Sequence, residues 1–491
     1  MASPKDLLEL PSSLRVISLN CWGLKFLSKH RHARLVEIGH QLANASPAPQ
    51  IVGLQECWTQ EDFLAIRELT QHILPYGKFY FSGIFGGGLA ILSKWPIEES
   101  SMYRYPLNGR PAAFFRGDWY VGKGVACARI RIGKGVKDVV EVFCTHLHAP
   151  YEREPNDSYI CHRTAQAWEI AKLMRHAVER GHMVIGLGDF NMVPLSLAHR
   201  LIEAHGAVKD VWRIVHPDSA VGSADSEAEM ARGKAVPTSQ QCLDVHGTTC
   251  DHRINTWRWS KQMRKDLDRG NEAEIDPNEL DHKARRLDYI FFADNSEHTG
   301  QQWKVENVEV GMTMRHPTLR CSLSDHFSIE TTLTRHPGST QSKSPARSHI
   351  QPLDHETYLL IQAMISKYDL RERSQRRYRL THFGAEIVIT IGCWVAVWWS
   401  PRNYVSFLLM LLSTLGLSCG VLDGLMGGLF VGSEIRALKE FEYEIGYAAE
   451  LAKEVHGKGY SEESADKDLA IATKQALRSR DGMRHGGSSS S

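Results

Sequence analysis

The stretch 404–432, YVSFLLMLLSTLGLSCGVLDGLMGGLFVG, contains one acid, Asp423, and no base. Such a run has few ways to fold. In hydrocarbon every backbone N–H and C=O must find a partner inside the protein, which a helix or a closed barrel provides. A bilayer core about 30 Å thick takes about 20 helical residues. Upstream, 383–399 reads FGAEIVITIGCWVAVWW, apolar apart from Glu386, and SPRN interrupts the chain between the two segments. The pair predicts a transmembrane helical hairpin, with Trp398, Trp399 and Tyr404 at the membrane–water boundary.

Glycines recur at 416, 420, 424, 428 and 432, and Gly392, Ala396 and Ser400 repeat that spacing on the first segment. Small residues let helix backbones approach closely in lipid, so the stripes predict packing of the two helices on each other or a homodimer. Asp423 is costly in hydrocarbon and is expected to face a helix partner or the interface. Arg371, Arg373, Arg376, Arg377 and Arg379 precede the hairpin, whereas the connecting loop offers Arg402. The positive-inside rule then places both termini in the cytosol. The arginine cluster also suits anionic phospholipid headgroups, at about 1 kcal/mol per side chain.

These features divide the chain into an N-terminal body (1–335), a Ser- and Pro-rich tether (336–352) and a basic juxtamembrane helix (353–382). Two transmembrane helices (383–432) and a cytosolic tail (433–491) follow. The start, MASPKDLLELPSSLRVISLN, lacks the apolar core of a signal peptide. Ten cysteines without a CxxC pair then read as reduced thiols. A net charge of +1 gives no global attraction to nucleic acid, so no nucleic-acid partner is expected.

The body alternates strand-like runs (LRVISLNCW, IVGLQECW, GLAILSKWPI, VACARIRIG, VVEVFCTHLH, MVIGLGDFN, LDYIFFA, SIETTL) with helix-like ones (HRHARLVEIGHQLA, EDFLAIRELTQHI, CHRTAQAWEIAKLMRHAVE). That pattern predicts a layered α/β domain with mixed sheets. The polar stretch from about 215 to 285 is expected to be a long loop or insertion.

Reactive side chains sit where the strands end. Asn20 closes the first and Glu56 the second. His146 and His148 follow VEVFCT, Asp189 and Asn191 follow MVIGLG, Asp288 precedes YIFF, and Asp325 and His326 precede FSIETTL. Any one of them could be a strand cap, but acids, amides and imidazoles at six strand ends would converge on one rim, as active-site residues do. Glu56 is a hard oxygen ligand suited to Mg²⁺. Outside the apolar segments the chain has no G-x-S-x-G elbow, and it has no zinc spacing of Cys and His and no phosphate-binding G-x-x-x-x-G-K-[ST] loop. Metal-assisted attack of water on a phosphodiester fits this set.

In order, LNCWGL, LQECW, GIFGGGLAILSKWPI, THLHA, GDFN, LDYIF and SDH resemble the deoxyribonuclease-I-like endonuclease/exonuclease/phosphatase superfamily. LNCWGL, QECW and the two apolar segments narrow the resemblance to its neutral sphingomyelinase branch and to the fungal inositol phosphosphingolipid phospholipases C. The resemblance implies a four-layer α/β sandwich with a C-terminal transmembrane hairpin. It also implies cleavage of inositol phosphosphingolipids or sphingomyelin to ceramide and a phosphorylated headgroup. By the same resemblance Glu56 binds Mg²⁺ with support from Asn20, and His326 is the general base, oriented by Asp288 or Asp325. Asp189 and Asn191 would position water and phosphate, and His146 would stabilise the transition state or help the leaving oxygen. Asp118 and Lys123 match an Asp-x-x-x-x-Lys element implied to act as a switch.

The alternatives are an inositol polyphosphate phosphatase or a nuclease of the same superfamily. GLGDFNMV lacks the Trp and Arg of the former's W-x-G-D-x-N-x-R, and the neutral charge balance and the hairpin argue against the latter.

Overall fold

A computed structural model describes residues 9–152, 156–271, 273–337 and 352–456. Residues 338–351 of the expected tether and 457–491 of the expected tail lie outside them. The chain forms two compact units, Met1–Asn108 with Tyr120–Gln351, and Gly109–Trp119 with Pro352–Ser491.

The strands of the first unit are β1 (Ser13–Asn20), β2 (Ile51–Gln55), β3 (Tyr76–Tyr80), β4 (Leu89–Ser93), β5 (Ile97–Arg104), β6 (Gly124–Arg131), β7 (Val139–His146), β8 (Met183–Asp189), β9 (Lys209–Asp210), β10 (Asp288–Ala293), β11 (Gln301–Gly311) and β12 (Ser328–Pro337). They make two six-stranded sheets, ordered β11-β12-β1-β2-β4-β3 and β5-β6-β7-β8-β10-β9.

Successive side chains of a strand point to opposite faces, and here both faces are apolar. Val16, Ile51 and Ile91 of the first sheet pack with Val142, Ile185 and Ile290 of the second. Their chain neighbours Ile17, Val52 and Leu92 pack on Leu35, Ile38, Phe63 and Ile66 of helices Arg31–Asn44 and Gln60–Thr70. On the far side Phe143, Val184 and Phe291 meet Ile170, Met174 and Ile202 of helices Ile160–Glu179 and Leu197–Gly206. The result is the four-layer α/β sandwich. Gly53 lets the sheets close, since a Cβ there would come within 1.9 Å of the Leu187 side chain.

Two parallel pairs, β1 with β2 and β7 with β8, send their chain out at the same end of their sheets. β12 runs antiparallel to β1 and β10 antiparallel to β8, so β12 and β10 begin at that end. The six strand-end positions are thus brought to one rim. The 215–285 region is irregular chain carrying the short helices Glu227–Met230, Ser239–Asp244 and Lys261–Asp268.

In the second unit one helix of 43 residues, His355–Val397, carries the basic segment and the first apolar segment without a break. At 1.5 Å per residue it is about 65 Å long, roughly twice a bilayer core. Its N-terminal part buries Tyr358, Ile361 and Ile365 and packs on helix Val431–His456, which buries Leu438, Ile445 and Ala449. His355–Val397 and Asn403–Val455 are both long and apolar enough to cross a membrane.

The glycine stripe is partly used inside the hairpin. A Cβ at Gly416 or Gly420 would meet Glu386, and one at Gly424 would meet the Phe383 ring. The first helix thus offers large side chains rather than its own small ones, and Gly392 has nothing within 4 Å. Asp423 bonds Arg379 and, at 2.8 Å, His382 Nδ1, both on the first helix.

Candidate active site

Each strand end delivers its side chain through a local constraint. Trp22, Glu56 and Asn191 take left-handed φ values of 46°, 53° and 46°. Such non-glycine conformations cost about 1–3 kcal/mol each and persist where the surroundings over-determine them. At Gly188 a Cβ would lie 2.0 Å from the Thr145 carbonyl oxygen, so glycine is required one residue before Asp189.

Asn20 is the bridge between the sheets. Its Nδ2 donates to Glu56 Oε1 at 3.2 Å and to Asp189 Oδ2 at 3.0 Å, while its Oδ1 accepts from the Trp22 N–H at 3.0 Å. Asp189 also accepts from the Asn191 N–H at 2.9 Å and from Asn191 Nδ2 at 3.2 Å, and His146 Nε2 lies 3.5 Å away. Asp288 sits opposite Asp189 in the β8–β10 register, and its Oδ2 is 2.8 Å from His326 Nδ1. Asp325, the other candidate to orient His326, turns instead toward Ser324 Oγ at 3.3 Å. His148 lies off this cluster, stacked on Tyr159 with ring centroids 3.9 Å apart.

Lys123 is buried beneath the β7 end, donating to the carbonyls of His146 at 3.4 Å and Leu147 at 3.2 Å. Asp118 opens the short helix Asp118–Val121 and is counted with the second unit.

Burial dominates the electrostatics. It raises Glu56, with Asp325 adding to the effect and Asn20 opposing it. It lifts Asp189 to about 6 and also raises Asp325. For His326 burial works against protonation, yet Asp288, Cys250 and Asp189 reverse it and hold the imidazole well above its usual range. His146 goes the other way, pushed well below that range by burial, Lys123 and His326. A neutral imidazole has one ring N–H to donate and one ring nitrogen to accept.

The donor set fits a cation. Ligand atoms of Asp189, Asp288 and His326 lie within 4.8 Å of one another, and Asp288 Oδ1 is buried with no hydrogen-bond partner among the described residues. Burial and the neighbouring Asp288 favour protonation of Asp189, and a divalent ion would stabilise its ionised form. Glu56 stands outside that group of three and is coupled to it by Asn20.

Several supporting residues escaped the sequence reading. Arg34 is buried, with Nη1 donating to Cys21 O at 3.1 Å and Leu323 O at 2.6 Å and Nη2 to Trp22 O at 2.8 Å; it ties the chain after β1 to the SDH segment. A cation on the apolar face of a helix was the signal. Ser324 Oγ donates to Asn20 O at 2.5 Å, and Thr249 Oγ1 accepts from the Asp288 N–H at 3.3 Å. Trp58 Nε1 reaches Glu56 Oε2 at 3.4 Å.

A model described as the Endonuclease/Exonuclease/phosphatase family matches residues 17–326. The chain belongs to the endonuclease/exonuclease/phosphatase family. The family match begins inside β1 and ends on His326, so every strand-end candidate lies within it. Among curated relatives, an inositol phosphosphingolipids phospholipase C of Schizosaccharomyces pombe is 40% identical over 440 residues, covering 89% of this chain and 94% of that one. Its Saccharomyces cerevisiae namesake is 33% identical over 465 residues, covering 88% and 89%. Sphingomyelin phosphodiesterase 2 of Rattus norvegicus is 36% identical over 212 residues, covering 43% and 48%.

Proposed function

We propose that this chain is a membrane-anchored, Mg²⁺-dependent phosphodiester hydrolase that cleaves inositol phosphosphingolipids or sphingomyelin in the manner of a phospholipase C. The observation that carries the reading is the Asp288–His326 pair set against Asp189, with Asn20 linking Asp189 to Glu56. Similarity to inositol phosphosphingolipids phospholipases C over almost the whole chain supports the substrate class.

Asp288 holds Nδ1 of His326; the acids that hold the imidazole above its usual range make it a stronger base and confine catalysis to the fraction whose Nε2 carries no proton, which takes one from water as it attacks phosphorus. Asp189 and Asn191 position the water and a phosphoryl oxygen. Neutral His146 donates a hydrogen bond where charge develops. The P–O bond to the ceramide oxygen breaks, and the proton held by His326 passes to that oxygen. The products are ceramide and the phosphorylated headgroup. Glu56, with Asn20 in support, would hold Mg²⁺, which would supply neutralisation of the phosphate charge.

Around this centre Asp118 and Lys123 act as a switch, with Lys123 leaving its carbonyl partners to engage the site. The hairpin crosses the bilayer twice with both termini cytosolic, and Arg371, Arg373, Arg376, Arg377 and Arg379 bind anionic headgroups. A homodimer would use Gly428 and Gly432, where the stripe is open.

Purified chain is incubated with inositol phosphoceramide, sphingomyelin, a phosphatidylinositol phosphate and nicked DNA, each with Mg²⁺. Ceramide from either sphingolipid supports the proposal. Inorganic phosphate from the inositol lipid, or shortened DNA, would favour the other activities of the superfamily.

A further inference from the structure

One acid sits inside the apolar seam of the hairpin. Glu386 lies on helix His355–Val397, one turn after His382 and opposite Gly416 and Gly420 of helix Asn403–Leu425. The glycines make its room: a Cβ at Gly416 would lie 2.2 Å from Glu386 Oε2, and one at Gly420 2.7 Å from Glu386 Cβ. His382 Nδ1 bonds Asp423 Oδ2 at 2.8 Å, and Arg379 takes the other oxygen of Asp423, so two acids and two bases share the seam. Glu386 itself receives no hydrogen bond among the described residues. His382 Nε2 stands 3.4 Å from its Oε1, and with Nδ1 donating to Asp423 a neutral imidazole has only an acceptor there.

Depth decides what can satisfy it. At 1.5 Å per residue, His382 and Asp423 lie about 24 and 28 Å along their helices from Trp398 and Tyr404, close to one boundary of a bilayer core about 30 Å thick. Glu386 is one turn, about 6 Å, further in. A carboxylate without a donor is costly at that depth, and ionisable groups so placed mark functional positions. The seam is open to one side, since the His382 side chain is 43% exposed and those of Asp423 and Glu386 are 27% and 16% exposed. The missing donor therefore comes from lipid. At the level of their backbone glycerolipids offer ester oxygens, which only accept, and a phosphate would meet the carboxylates. A sphingoid backbone carries an amide N–H and a hydroxyl at that level, and a carboxylate and an unprotonated imidazole nitrogen accept from both.

We propose that Glu386 and His382, framed by Gly416 and Gly420, form a lateral site in the hairpin for the sphingoid backbone of a bilayer lipid, with Glu386 accepting from its amide N–H or hydroxyl. The inference rests on the reading of the two apolar helices as a membrane hairpin, and it deepens the proposed substrate class. Ceramide and an uncleaved sphingophospholipid share these donors, so the site selects on the half of the molecule that hydrolysis leaves unchanged. Asp423 and Arg379 fix His382 in the tautomer whose Nε2 accepts.

The test uses the full chain carrying His326→Ala, so that lipid is not consumed, reconstituted into phosphatidylcholine vesicles with a trace of photoactivatable ceramide. Label should fall on 382–390 and 413–424 and be displaced by unlabelled ceramide and by sphingomyelin or inositol phosphoceramide, but not by diacylglycerol or a sterol at the same mole fraction. Displacement by ceramide alone would assign the site to product, and by the sphingophospholipid alone to substrate; either supports it. A ceramide methylated at nitrogen and lacking the 3-hydroxyl should not compete. Glu386→Met should lower the labelling about tenfold, while crosslinking between Thr390→Cys and Ser413→Cys persists and certifies the hairpin. Label displaced equally by diacylglycerol, or unchanged in Glu386→Met, would overturn the proposal. Should Glu386→Met lose the cysteine crosslink, the methylated ceramide decides on the unsubstituted seam, and its full competition would overturn the site. Photoactivatable phosphatidylcholine that leaves both helices unlabelled would remove the hairpin from the bilayer and the site with it. Binding is read without turnover; a chain inert toward every sphingolipid would therefore defeat the proposed hydrolysis and not this site.

Discussion

His326 Nδ1 lies 2.8 Å from Asp288 Oδ2, joining a residue two positions before β12 of one sheet to the first residue of β10 in the other. The pair closes the rim where the two sheets meet, and both members are buried. A base so placed keeps one tautomer and one orientation, which is what proton abstraction from water needs. His326→Ala should lower kcat about 10²-fold to 10⁴-fold with an unchanged circular-dichroism spectrum. Asp288→Asn should produce a smaller loss of the same kind. Near-normal turnover by the purified His326→Ala protein would remove His326 from the chemistry.

Asn20 touches the two carboxylates that come from different sheets. Asn20→Ala should weaken activation by Mg²⁺ about 10-fold to 100-fold, as loss of a ligand-orienting partner does. Titrating activity against free Mg²⁺ after chelation checks this. A shifted kcat at saturating Mg²⁺ with an unmoved midpoint would assign Asn20 to substrate instead.

Asp210 binds Arg286 through both oxygens, at 2.9 and 2.7 Å, and His199 at 3.1 Å, two residues before Asp288 begins β10. Burial alone would raise this carboxyl, but Arg286 and His199 carry it far below the carboxylate range. A depressed folded-state value stabilises above the unfolded value, about 3.9, and that stability is lost as pH falls below it. Asp210→Asn should cost about 3–5 kcal/mol, since it strands a buried guanidinium. It should also flatten the acid limb of the unfolding curve, followed by tryptophan fluorescence in urea. An unchanged midpoint at pH 7 would show that the pair bears no net weight.

Gly420 and Gly424 face Glu386 and Phe383 across the hairpin. Replacing both with Leu should separate the helices and sharply reduce crosslinking between cysteines placed at Thr390 and Ser413, whose Oγ1 and carbonyl oxygen lie 3.4 Å apart. Undiminished crosslinking in detergent would mean the stripe does not set that spacing.

The central strands were legible because they are buried on both faces and read as continuous apolar runs, IVGL and MVIGLG among them. What the sequence hid is the sheet margins. β3, β5, β9 and β11 end the two sheets, and all four went unread. β5, IEESSMYR, and β11, QQWKVENVEVG, show mostly exposed or half-exposed positions, so their polar composition resembles loop more than strand. The residues that meet at the rim were visible because hydrophobic runs end abruptly in acids and amides. Its scaffolding was not: Arg34 donates to carbonyls 13 and 289 residues away in the chain, and no local pattern encodes that reach. That Asp288 rather than Asp325 lies against His326 Nδ1 likewise could not be read locally, since it follows from the β8–β10 register that sets Asp288 against Asp189.

Hydrolysis of inositol phosphoceramide or sphingomyelin by the reconstituted chain in water enriched in oxygen-18 tests the central claim most directly. Attack at phosphorus predicts unlabelled ceramide and a headgroup phosphate carrying one heavy oxygen, with both signals absent from His326→Ala. Heavy oxygen in the ceramide, or no ceramide from either lipid in the presence of Mg²⁺, would contradict it.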